Sequence, residues 1–219
     1  MTRILRIDSS SRPSPAALAN GVEGSYSREL ADHLVDRLRA EHPSAEVVVR
    51  DLVTNPVPHI ANETIAGYYT PPEAMTDALR GATALSDELI AEVKAADAIV
   101  LSVPIYNFSI PSALKAWIDQ VVRIAHTFAY EDGQFSGLVE NKPTFVCFSY
   151  GAAGYGENGP LHAYDHMKPY LTMVLNFIGL TSVETFSIEA TTADAATIAG
   201  ARSNAMRAID EHFATAAAA

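Results

Sequence analysis

The sequence predicts an α/β protein built in three layers, a parallel sheet covered by helices on both faces. Three observations carry that expectation. Short apolar runs rich in Val, Ile and Phe alternate with longer segments of helical period. The chain has 219 residues, of which 48% are hydrophobic and 19% charged, enough to bury a substantial core and incompatible with global disorder. No internal repeat and no Pro/Gly/Ser linker divides it, so a single domain over 1–219 is expected.

The strand candidates are 3–8, 45–52, 97–103, 143–149 and 182–188. The first helix candidate, about 27–41, aligns Leu30, Leu34, Val35 and Leu38 in one stripe. A second, about 84–95, does the same with Leu85, Leu89, Ile90 and Val93. The third, about 111–126, opens at Pro111 and turns Leu114, Trp117, Ile118, Val121 and Val122 inward. The fourth, about 160–178, stops at Gly179, and its interior Pro169 predicts a kink or a broken first turn. The last, about 194–214, carries Ile198, Ala201, Ala205 and Ile209. Two insertions depart from the alternation. Residues 53–83 form a proline-rich excursion, and 127–142 contain an Asp132-Gly133 pair expected to turn a small hairpin.

Charge and composition remove several function classes. Acidic residues outnumber basic ones 26 to 15, for a formal charge of −11, which repels nucleic-acid backbones. The N-terminal residues lack the apolar run of a signal peptide, and no later run reaches membrane-spanning length, so a cytoplasmic protein with no membrane partner is expected. The single cysteine, Cys147, lies mid-strand and reads as an inert core residue. His162 and His166 have the four-residue spacing of a metal pair, but no third ligand declares itself, and no metal is expected. Gly154, Gly156 and Gly159 match G-x-G-x-x-G, yet four residues separate the strand from the first glycine, which suits a dinucleotide fingerprint poorly.

In such sheets ligands bind beyond the carboxyl ends of the strands, where strand order reverses. The first of these loops carries Ser10 and leads to Ser25-Tyr26-Ser27 at a helix start, where hydroxyls and free amides suit a phosphate or plain N-capping. The loop after the third strand reads Pro104-Ile105-Tyr106-Asn107-Phe108, suited to a planar heterocycle or to a packed, proline-framed turn. After the fourth strand come Ser149-Tyr150-Gly151-Ala152, where a glycine permits close backbone approach to a flat ligand.

These blocks, together with Leu114-Lys115-Ala116-Trp117-Ile118-Asp119, Thr127-Phe128-Ala129-Tyr130, Gly137-Leu138-Val139, Pro169-Tyr170-Leu171 and Phe177-Ile178-Gly179, resemble the FMN-dependent NADH:quinone oxidoreductases and azoreductases. The resemblance spans nearly the whole chain. It implies a flavodoxin-like fold, with a five-stranded parallel sheet of order 2-1-3-4-5, and a homodimer. It implies FMN as cofactor and NAD(P)H as co-substrate, with quinones and aromatic azo compounds as acceptors in a ping-pong cycle. Carried over by position, Ser10, Ser25 and Ser27 would hold the FMN phosphate, with Tyr26 among the cofactor-binding residues. Ile105, Tyr106, Asn107 and Phe108 would line the ring and Ser149 and Gly151 would bind its polar edge, with Pro104, Tyr150 and Ala152 also among the cofactor-binding residues. Tyr130 and Phe177 would shape the substrate face. No side chain is expected to be catalytic, because the flavin N5 carries the chemistry. The sequence departs from the family's pattern in a longer segment at 11–24, in Tyr150 where arginine is expected, and in His126 where a small residue is expected. An FMN-binding electron carrier or redox-regulated binding module without substrate turnover is the alternative.

Overall fold

The computed structural model describes residues 2–14 and 24–216. Five parallel strands form the sheet: β1 (Arg3–Asp8), β2 (Glu46–Asp51), β3 (Ala98–Pro104), β6 (Thr144–Ser149) and β7 (Val183–Ile188). Their spatial order is β2-β1-β3-β6-β7, which is 2-1-3-4-5 among the sheet's own strands. All five expected strands are present within a residue or so of the sequence limits.

Each buried strand alternates its side chains between two apolar layers. Ile4, Val100, Phe145 and Cys147 pack against α1 (Tyr26–Glu41) and α6 (Ala195–Ala216) through Leu30, Leu34, Ile209 and Phe213. Leu5, Ile7, Ile99, Leu101, Val146 and Phe148 face the opposite layer, with α3 (Asp77–Ala95), α4 (Ser112–Val121) and α5 (Lys168–Ile178). Cys147 is fully buried, and burial pushes its thiol well above the ordinary range, as a core residue requires.

Three helices differ from their sequence limits for local reasons. The excursion holds a short helix, α2 (Asn62–Tyr68), and α3 then begins at Asp77, where the Thr76 hydroxyl accepts the Leu79 amide. Helix α4 ends at Val121 instead of 126, because the buried Thr127 hydroxyl accepts the Arg123 amide at 2.9 Å and donates to the Val121 carbonyl at 2.7 Å. Helix α5 begins at Lys168, not 160, with Pro169 in its first turn, where the missing N–H costs nothing. Residues 154–167 therefore form a loop. Its glycines pack against one another: a Cβ on Gly159 would lie 2.2 Å from the Gly154 carbonyl oxygen. His162 sits in a 3₁₀ turn and His166 beyond it, so the two do not share a helical face.

The Asp132-Gly133 turn joins β4 (Phe128–Glu131) to β5 (Gln134–Gly137) in the expected hairpin, both turn residues having positive φ. The longer segment noted at 11–24 lies mostly outside the described residues.

Candidate functional site

The sheet reverses its order between β1 and β3, so the loops after these strands diverge to opposite faces and leave a crevice. A cavity of about 410 Å³ occupies that position. Ser10, Ser25 and Tyr26 line one part; Pro104, Ile105 and Tyr106 another; Ser149 and Gly151 a third.

At the hydroxyl-rich end, Ser25 caps α1. Its backbone is extended, and its Oγ accepts the Arg28 amide at 3.3 Å. The Ser10 and Ser25 residues are nearly buried. The helix start adds the positive end of the α1 dipole, which favours an anion. Ser27 stands behind, fully buried, with its Oγ 3.1 Å from the Ser25 Oγ, and does not line the cavity.

The β3 loop is a two-residue turn in which Tyr106 and Ser109 exchange N–H···O bonds of 2.9 and 3.1 Å. It puts Asn107 and Phe108 at φ of 47° and 71°. Asn tolerates that region; Phe does not, and such strain gathers at working sites. Tyr106 reaches back across the crevice. Its phenolic oxygen accepts the Ser11 amide at 3.1 Å and lies 2.7 Å from the Ser11 hydroxyl, so the two loops are tied directly. Burial raises the Tyr106 phenol, but the bonds to Ser11 and Ser10 and the charge of Arg12 together hold it below its usual value.

Asn107 faces a second, larger cavity of about 880 Å³, which Tyr106 also borders. His59, Lys115, His166 and Tyr170 line it as well. Phe108 is half exposed and lies 5.7 Å from the ring of Tyr164.

At the third part of the crevice, the Tyr150 and Gly151 carbonyls accept bonds from Thr191 and Thr192, through both amides and hydroxyls. A trans peptide sets N–H opposite C=O, so the Gly151 and Ala152 amides point away from the β7 loop. A Cβ added to Gly151 would meet only Thr192 Cγ2, at 3.5 Å.

The Tyr150 side chain goes elsewhere. It is 2% exposed, stacks on Tyr155 at 4.7 Å, and donates to the Asp165 carboxylate at 2.9 Å. Neither Tyr150 nor Ala152 lines the cavity at the crevice. Tyr130 and Phe177 gather instead with Phe128 and Phe135: Tyr130 lies 4.6 Å from Phe135, which lies 5.4 Å from Phe177. Within one chain this aromatic group lines neither cavity.

Sequence reasoning missed Arg12, Thr191, Thr192 and Ala193, all lining the crevice. The signal for the threonines was available, since they follow the fifth strand at its carboxyl end.

A sheet of this order with such a crevice defines a flavodoxin-like protein, and the family model described as flavodoxin-like fold matches residues 2–213. A protein from Xanthobacter autotrophicus named FMN-dependent NADH:quinone oxidoreductase is 52% identical over 184 residues, 84% of each chain. A protein of the same name from Nostoc punctiforme is 42% identical over 184 residues, 84% of this chain and 85% of its own. Among solved structures, an azoreductase from Bacillus anthracis str. Sterne superposes with a TM-score of 0.83 at 23% identity, covering 97% of this chain and 99% of that one. An FMN-dependent NADH-azoreductase from Bacillus anthracis str. Ames Ancestor, in complex with FMN, superposes at 0.77 with 19% identity, covering 97% and 100%. These structural likenesses show the fold. The sequence relatives are specific enough to say that the chain belongs to the family of FMN-dependent NADH:quinone oxidoreductases.

The residues present fit that cofactor. Hydroxyls and a helix N-terminus suit a phosphate at one end, and the open side of Gly151 leaves room for a flat ring to approach the main chain at the other.

Proposed function

We propose that the protein is an FMN-dependent oxidoreductase that takes two electrons from NAD(P)H and delivers them to quinones. The observation that carries this reading is the single crevice that combines Ser10, Ser25 and the start of α1 with the β3 and β6 loops at the point where strand order reverses. When bound, FMN supplies the two-electron chemistry between donor and acceptor. The chain's residues bind and orient. Ser10 and Ser25 would hold the phosphate, with Tyr26 beside them and Ser27 behind. Pro104, Ile105 and Tyr106 would line the ring, and the Ser149–Ala152 main chain would meet its polar edge with amides directed from the β7 loop. Asn107 and Phe108 hold the turn that sets this wall, in a conformation the chain adopts at a cost.

The finer reading is that donor and acceptor take turns in one place, which gives ping-pong kinetics, and that aromatic azo compounds are further acceptors, two turnovers reducing each to amines. The activity belongs in the cytoplasm, where NAD(P)H is available. Two copies pair, and the half-exposed Tyr130 with its neighbours, among them Phe177, would shape the substrate face. Among the described residues no helix is long and apolar enough to cross a membrane.

The test is reconstitution with FMN followed by steady-state NADH oxidation against a quinone. Expected are retention of one FMN per chain and parallel double-reciprocal lines. A protein that takes up no FMN refutes the reading, and FMN uptake without quinone-dependent NADH oxidation leaves a carrier.

A further inference from the structure

Beneath the hydroxyl-rich end of the crevice lies a buried layer of charge. On the α1 face of β1, Ile4 is followed by Arg6 and Asp8 where the alternation calls for apolar residues. Asp8 is 3% exposed and accepts the Ser102 hydroxyl at 2.6 Å, Arg6 Nε at 3.1 Å and Arg28 Nη1 at 3.2 Å. Arg28, in the first turn of α1, is 7% exposed. Its guanidinium grips Asp51 at the end of β2 with both nitrogens, at 2.8 and 3.0 Å, and Nη2 donates to the Ser10 carbonyl at 2.8 Å. Arg6 closes the frame, bonding Asp32 and the Arg28 carbonyl. The Nε of Arg28 finds no acceptor among the described residues.

Such a layer is an expensive way to fill a core. Buried ion pairs rarely outdo well-packed apolar residues in stability, and their best-attested use is to fix one geometry. The geometry fixed here is the relation of two backbone segments, the Ser10 loop and the first turn of α1, which carry the Ser10 and Ser25 hydroxyls into the crevice. Arg28 also neutralises Asp8 and Asp51, whose charges would otherwise stand behind an anion.

We propose that Arg28 is a positioning residue that makes the site select a flavin carrying a terminal phosphate over riboflavin, by pinning the Ser10 carbonyl and the start of α1 to the Asp8–Asp51 frame. This rests on the FMN reading above. The residue makes no hydrogen bond to the ring wall itself; the Ser10–Ser11 peptide that it holds reaches that wall through Tyr106, so its effect falls first on the phosphate end.

The experiment uses the full-length chain stripped of flavin, wild type beside Arg28→Gln and Arg28→Lys. Each is titrated with FMN and with riboflavin by quenching of flavin fluorescence, and its fold is checked by circular dichroism. In Arg28→Gln the dissociation constant for FMN rises about 10–100-fold, the size of one or two charge-assisted hydrogen bonds, while that for riboflavin stays within about twofold. Arg28→Lys, a point charge without the guanidinium fork, falls between the two. Should Arg28→Gln fail to fold, the change in the riboflavin-to-FMN ratio of Arg28→Lys decides. An unchanged ratio, equal weakening of both flavins, or failure of both variants to fold overturns the proposal. Wild type that binds neither flavin overturns the FMN reading and this one together; tight wild-type FMN binding with unaltered variants overturns this one alone.

Discussion

Replacing Tyr150 with phenylalanine separates two roles for a residue that sequence position assigns to the cofactor. Its hydroxyl donates to Asp165 Oδ2 at 2.9 Å, while Asp165 Oδ1 accepts the Met167 and Lys168 amides at 2.9 and 3.0 Å where α5 begins. Burial, then the Asp165 charge, raises the Tyr150 phenol far above its usual range, so it remains a donor at any working pH. Losing one hydrogen bond to a charged acceptor costs about 1.5–3 kcal/mol. Asp165→Ala removes the helix-entry bonds, worth about 1 kcal/mol, and strands the buried Tyr150 hydroxyl for about 1–3 kcal/mol more. The total of roughly 2–4 kcal/mol corresponds to about 4–16 °C in melting temperature for a chain of this size. The double variant costs less than the sum, because no stranded hydroxyl remains. Urea unfolding followed by circular dichroism measures these values, and FMN titration of Tyr150→Phe gives a dissociation constant within about twofold of wild type. Loss of FMN binding in Tyr150→Phe at unchanged stability would refute the assignment of this side chain to Asp165.

Gly179 sits at φ 112°, and a Cβ there would lie 2.4 Å from the Val139 carbonyl oxygen, so Gly179→Ala costs roughly 2–4 kcal/mol from left-handed strain and overpacking. A urea midpoint equal to wild type would show that the α5 terminus relaxes freely. Acid stability tests the charge frame. Burial raises the Asp51 carboxyl, but the hydrogen bond from Arg28 and the Val53 and Thr54 amides outweigh it, leaving the group below its ordinary 3.8. A carboxyl depressed by folding contributes stability above its unfolded value, and that contribution is lost as pH falls from 3.8 through the lower folded value. Asp51→Asn is therefore less stable at neutral pH and flatter below 3.8, as urea midpoints across that range would record; an acid slope equal to wild type would disprove the linkage.

Much of the site's outline was legible because backbone propensity and ligand chemistry coincide at the strand ends. Ser10, Pro104, Ile105, Tyr106, Ser149 and Gly151 stand at the carboxyl ends of apolar runs bounded by turn residues, Ser25 stands at a helix start, and the crevice brings them together. Helix limits were less legible. Residues 122–126 carry helical apolar spacing, yet a hydroxyl from Thr127 takes over the last bonds of α4, an interaction no periodicity records. The same holds for Pro169, whose place in a first turn depends on Asp165 arriving to receive the amides.

The sequence by itself determined the layered architecture and the segments that form the crevice, since alternation of apolar runs dictates which surfaces must be buried. Only the tertiary structure decided which side chains of those segments face the crevice, because direction is set by partners distant in the chain. Tyr150 turns to Asp165, Tyr130 and Phe177 turn to Phe135, and the Thr191 and Thr192 hydroxyls turn the main chain at Gly151. The charged frame around Arg28 belongs to the same class. Its members come from β1, α1 and β2, and become neighbours only when the sheet closes around them.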